Sequence, residues 1–137
     1  MSSIMIDGKS FRLIGKEPSN QPAMEQKSVT VYPTRTVYEF ESDGIALTLT
    51  FMTPALPESI ELLSWPVTYV SYYARSTDRK SHKVSLTFEA GDEICVNEQN
   101  QETIRSVPEI QGLSAVSVGS KSQLVLNRSG DDLRIDW

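Results

Sequence analysis

The sequence predicts an all-β protein, an antiparallel β-sandwich of short strands with at most one or two helical turns. Three observations carry that expectation. Short runs of alternating apolar and polar residues fill most of the 137 residues, turn residues such as Asp-Gly, Pro and Ser-Gly separate them, and helical periodicity is almost missing. The strongest run covers 34–53. Asp43-Gly44 at its centre suits a two-residue type I′ turn, which needs positive φ at both central positions. That turn sets Phe40 opposite Leu47, Tyr38 opposite Leu49 and Thr36 opposite Phe51, all on one face. Glu41, Glu39 and Val37 then share the other face with Ala46, Thr48 and Thr50. The hairpin specifies its own register and needs a second sheet over its apolar face.

The remaining elements follow in chain order. A turn at Asp7-Gly8 pairs Ile4 with Phe11 and places Ile4, Ile6, Phe11 and Leu13 on one face. Residues 15–22, with one glycine and two prolines, read as a loop. Residues 28–32 alternate as a strand that Pro33 stops. Pro54 and Pro57 break the strand after the central hairpin, and 58–63 fit one or two helical turns ended before Pro66. Strands at 67–75 and 83–90 flank a turn at Thr77-Asp78-Arg79-Lys80. On the first of these, Val67-Tyr69-Tyr73 and Val70-Tyr72-Ala74 both qualify as the inward row. Further short strands are expected at 91–96, 113–118, 123–126 and 133–137, with 97–102 a polar loop and 107–112 irregular.

Size and charge exclude several classes. The length is that of a single domain, 1–137, able to build one core. A net charge of −5 and no basic patch exclude nucleic acid as a partner. No apolar run is long enough for membrane insertion, and no stretch has the apolar core of a signal peptide. Cys95 is the only cysteine, which rules out an intrachain disulfide and reads as a small buried residue.

The chemistry-bearing residues resolve into no catalytic, cofactor or metal constellation. His82 is the only histidine and lies beside a charged turn, where it reads as a solvated residue at a strand end. A Ser-His-Asp set through Asp78 would need a serine within hydrogen-bond reach. Glu39 and Glu41 alternate on an outward face, the ordinary place for solvated acids. Asp131, Asp132 and Asp136 lack the spacing of a calcium loop. The outward aromatics Trp65, Tyr69 and Tyr73 form the candidate interface or ligand face, either under a neighbouring domain or as a stacking platform for sugars.

Several ordered runs resemble one family. Met24-Glu-Gln-Lys-Ser-Val-Thr-Val-Tyr-Pro-Thr-Arg-Thr-Val-Tyr-Glu-Phe-Glu41 and Gly44-Ile-Ala-Leu-Thr-Leu-Thr-Phe-Met-Thr-Pro-Ala-Leu-Pro57 are similar to the β-rich domain of glutaminase A-like proteins of fungi and bacteria. Ser64-Trp-Pro-Val-Thr-Tyr69, Arg75-Ser-Thr-Asp78, Asp7-Gly-Lys-Ser-Phe-Arg12 and Gly130-Asp-Asp-Leu-Arg-Ile-Asp-Trp137 extend the likeness over nearly the whole chain. The family pattern has Arg where this chain has Trp65 and Gly where it has Arg79. It favours Val70, Tyr72 and Ala74 as the inward row.

The resemblance implies a non-catalytic accessory β-sandwich, excised from a longer exported parent that hydrolyses L-glutamine to L-glutamate and ammonia. It implies a helical catalytic domain of the same parent chain as partner, and carries no catalytic residue onto any position here. The family's chain continues past Trp137, so self-association of the fragment is also expected. The rival readings are a carbohydrate-binding module using the outward aromatics, and an autonomous hydrolase using His82 or paired carboxylates.

Overall fold

The computed structural model describes residues 1–122 apart from 18, 97 and 99. The chain is mostly β, with antiparallel sheets, one short helix and one 3-10 turn. It divides into two compact units, Met1–Phe88 and a second beginning at Glu89.

The first unit is built from two sheets. Strands β3 (Gln26–Tyr32), β4 (Arg35–Ser42), β5 (Ile45–Met52) and β6 (Tyr69–Ser76) follow one another as neighbours in a four-stranded sheet. A three-stranded sheet has β1 (Ser2–Ile6) at its centre, between β2 (Lys9–Ile14) and β7 (Val84–Phe88). The expected register of the central hairpin is observed, with Phe40 opposite Leu47, Tyr38 opposite Leu49 and Thr36 opposite Phe51. Both Asp-Gly turns take positive φ at both residues, Asp7 at +50° with Gly8 at +88° and Asp43 at +46° with Gly44 at +76°. Ile4 pairs with Phe11 as the alternation predicts.

Ile4 and Ile6 of one sheet and Phe40, Ile45, Leu47 and Leu49 of the other enclose a shared core, with Met24 beside them. Each such buried side chain stabilises the fold by about 1.5–3 kcal/mol. On β6 the cross-strand partners are Leu47 with Ala74, Leu49 with Tyr72 and Phe51 with Val70. Val70, Tyr72 and Ala74 therefore form the inward row, and Tyr69 and Tyr73 face out. Ser2 and Tyr72 join the two sheets through a 2.7 Å hydrogen bond between their hydroxyls. Three strands do not cover four, and Val31, on the inward row of β3, is 75% exposed.

The segment after β5 makes one helical turn, α1 (Ile60–Leu63), capped by the Ser59 side chain, which accepts from the Leu62 N–H. The strands on either side of the Asp78 turn belong to different sheets. Residues 77–83 are thus a crossover and not a hairpin loop.

The second unit departs further from the sequence reading. Residues 91–96 form no strand: Asp92–Cys95 is a 3-10 turn, with Cys95 buried as expected and Ile94 72% exposed. The alternation there was too short to distinguish a strand from a tight turn. Strand β8 (Thr103–Ser106) pairs with β11 (Ser117–Ser120). The stretch expected to be irregular contains β9 (Glu109–Ile110), which pairs with β10 (Leu113–Ser114) around Gly112 at φ +78°. The expected strands at 123–126 and 133–137, and the acids Asp131, Asp132 and Asp136, lie outside the described residues.

Candidate functional site

Two groups of side chains stand out in the first unit, at opposite ends of the four-stranded sheet. One is apolar. The connection from β5 to β6 leaves Pro54, Leu56, Leu62, Trp65, Val67 and Tyr69 around a concavity of about 300 Å³. Prolines stop the strand at its start, the Ser59 cap turns the chain back, and Val67 N–H donates to the Trp65 carbonyl to hold the return. Trp65 and Tyr69 are each 53% exposed, although both are large apolar surfaces. The structure brings these two expected residues together and leaves the third apart. Tyr73 lies opposite Thr48 on the outer face of the sheet, is 66% exposed, and does not line the concavity. The lining side chains carry only one hydroxyl and one indole N–H between them. Such a surface meets another apolar surface better than it meets a sugar, whose hydroxyls need several fixed polar partners.

The other group is charged and centres on His82. Its side chain is only 10% exposed, which corrects the reading of a solvated residue at a strand end. Nδ1 lies 2.7 Å from Asp7 Oδ2, and Nε2 lies 2.9 Å from Asp78 Oδ1. With a carboxylate oxygen at each ring nitrogen, both bonds form only when both nitrogens carry protons. The two carboxylates accordingly raise the His82 pKa, Asp78 more than Asp7. Asp7 is held below the usual carboxyl range by the Lys83 N–H, which donates to Oδ1 at 2.8 Å, and by His82. Asp78 is held well below that range by His82 first and then by the Lys80 N–H.

This arrangement does not fit nucleophilic catalysis. A general-base histidine needs one nitrogen free to accept a proton from a nucleophile, and here both face acids. Ser76 does reach Asp78, at 3.1 Å, but on the carboxylate side of the pair and not at the ring. Glu39 and Glu41 are exposed, and Glu39 accepts a 2.7 Å hydrogen bond from Ser28 Oγ. Among the described residues no group of three His, Cys, Asp or Glu side chains has a geometry that would hold a metal ion. No helix among them is long and apolar enough to cross a membrane.

In the second unit the Asp92 carboxylate accepts from Thr103 Oγ1 at 2.6 Å and from Arg105, which pins the 3-10 turn to β8. Those contacts, Thr103 first, lower the Asp92 pKa. Sequence reasoning missed both charged clusters because their members are distant in the chain or lie in strands too short to recognise.

These features define a β-rich antiparallel domain whose first unit carries an apolar concavity and an ion-pair cluster at opposite ends of its four-stranded sheet. Residues 34–137 match the family described as a domain of unknown function, DUF5127, and the chain belongs to that family. Comparison with curated proteins and with solved structures returns no match.

Proposed function

We propose that this DUF5127 domain is the non-catalytic β-sandwich of a glutaminase-type protein, docked through the Trp65–Tyr69 concavity against a helical domain of the same parent chain. The observation that carries the reading is the apolar lining of that concavity. It has no charged side chain, and its two aromatic residues are half exposed. Such a patch favours burial against a partner. The resemblance of the runs at 24–41, 44–57 and 64–69 to glutaminase A-like proteins supports a helical domain as that partner. In that setting the reaction, hydrolysis of L-glutamine to L-glutamate and ammonia, belongs to the helical domain of an exported parent. The β domain supplies a docking face.

The test is a binding titration between this chain and the separately expressed helical domain, with ammonia release from glutamine followed in parallel. Saturable binding that weakens at least tenfold in Trp65→Ser, with no ammonia from the β domain alone, is expected. Ammonia release by the purified chain, lost in His82→Ala, would sink the reading. Quenching of Trp65 fluorescence by soluble glucans at micromolar concentration, with no binding to the helical domain, would replace it with a carbohydrate-binding module.

A further inference from the structure

We propose that residues 78–82 form a pH-released clasp, held shut when His82 carries two ring protons and freed when it carries one. The geometry isolates this segment between two anchors that do not titrate. On one side the Thr77 N–H donates to the Gly44 carbonyl at 2.8 Å, which ties the start of the crossover to the β4–β5 turn. On the other, the Asp7 N–H donates to the Lys83 carbonyl at 3.0 Å, which ties its end to the β1–β2 turn. Between them His82 reaches across to Asp7, 75 positions away in sequence, and back to Asp78 within its own loop.

Deprotonation removes one of those bonds and does more than that. The bare nitrogen lone pair then faces a carboxylate oxygen at under 3 Å, so the contact turns from attraction to repulsion. The other charged groups around the ring do not replace it. Lys80 Nζ is 3.8 Å from Asp78 and 77% exposed. Lys9 is paired with Asp43 on the neighbouring turn at 2.7 Å, and Lys83 meets Asp7 through its backbone N–H. The two acids that hold the ring also raise its pKa, Asp78 more than Asp7, so the clasp opens at a higher pH than a free histidine would set. Backbone strain adds to the tendency to open: Arg79 sits at φ +65°, a left-handed conformation that is costly for a side-chain-bearing residue. Release lets Arg79 relax and presents Arg79 and Lys80 as a mobile basic tip.

The experiment follows the His82 ring resonances by NMR, which are unambiguous because the chain has one histidine. In parallel, trypsin cleavage after Arg79 and Lys80 is timed from pH 6 to 9. A free peptide of residues 75–85 corrects for the enzyme's own pH profile. The ring should titrate above the ordinary value of 6.5. Corrected cleavage should rise at least fivefold with the same midpoint. Asp7→Asn should lower that midpoint and speed cleavage at pH 6, and His82→Gln should cleave rapidly at every pH. A wild-type ring midpoint at or below 6.5, or corrected cleavage that stays flat through the titration, would overturn the clasp without recourse to any variant.

Discussion

Gly44 packs against His82: a Cβ at position 44 would stand 3.0 Å from Nε2 and 3.0 Å from the Asp78 carboxyl. The glycine is thus required twice, once for the positive φ of the turn and once for the space beside the ring. The central hairpin and the crossover loop meet at that point.

Gly44→Val is expected to destabilise the first unit markedly. A β-branched residue at φ +76° is strained by about 1–3 kcal/mol, before its contact with His82 is counted. Urea unfolding followed by circular dichroism should show a lower midpoint. An unchanged midpoint would mean that neither demand operates.

Arg79→Gly should act in the opposite direction. The left-handed backbone costs a side-chain-bearing residue roughly 1–2 kcal/mol, and the greater freedom of glycine in the unfolded chain returns part of that. A net gain of up to about 1 kcal/mol is expected. A loss of stability would show that the Arg79 side chain holds the loop.

The two Asp-Gly turns, the hairpin register and the apolar face of the central hairpin were legible in the sequence. Each depends on residues close together in the chain: two turn residues fix a register, and period-two alternation fixes a face. The His82 cluster was not legible, because Asp7 and His82 become neighbours only when β1 pairs with β7, far along the chain. A local reading sees a histidine beside a charged turn and assigns it to solvent. In the second unit β9 and β10 have two residues each, too few to show any period, and residues 91–96 mimicked an alternation that the fold does not use. The concavity was half legible. Its aromatics were named, but Pro54, Leu56 and Leu62 join them only through the return made by α1.

Stability should fall on both sides of a plateau. The folded His82 pKa is raised, so its contribution is fully present below the unfolded value of 6.5 and is lost as pH rises through the folded one. The folded pKa values of Asp7 and Asp78 are lowered. Their contributions are present above the unfolded value of 3.8 and are lost as pH falls through the folded ones. Urea midpoints measured from pH 3 to 9 should trace both limbs, and His82→Gln should remove the alkaline limb from the first unit. An alkaline limb that survives in that variant would place its origin in another group.

Tyr72→Phe tests the bridge between the sheets. It removes the hydroxyl that meets Ser2 Oγ at 2.7 Å, while Ser2 keeps a 3.2 Å bond to the Thr87 carbonyl. Because the serine is not left without a partner, the expected cost is about 0.5–1.5 kcal/mol. A larger loss would indicate that the ring itself repacks.

Trp65→Ser should reduce self-association of the isolated chain. With no partner over the concavity, two copies can cover each other's apolar surface, and light scattering at rising concentration should report it. The substituted protein should scatter as a smaller species at every concentration. Equal scattering from both proteins would assign the contact elsewhere, with the exposed β3 edge the first place to look.

The strand order of the first unit also dictates a timetable. Strands β4, β5 and β6 each pair with the strand just made, so that sheet can grow from β3 as the chain leaves the ribosome. Strand β1 is different: its second partner is β7, with Ile4 opposite Leu86. Until Val84–Phe88 has emerged, β1 and β2 exist only as a two-stranded hairpin, which is marginal in water. The first strands synthesised are therefore among the last to be secured, and His82, two residues before β7, arrives just ahead of the strand that closes the sheet.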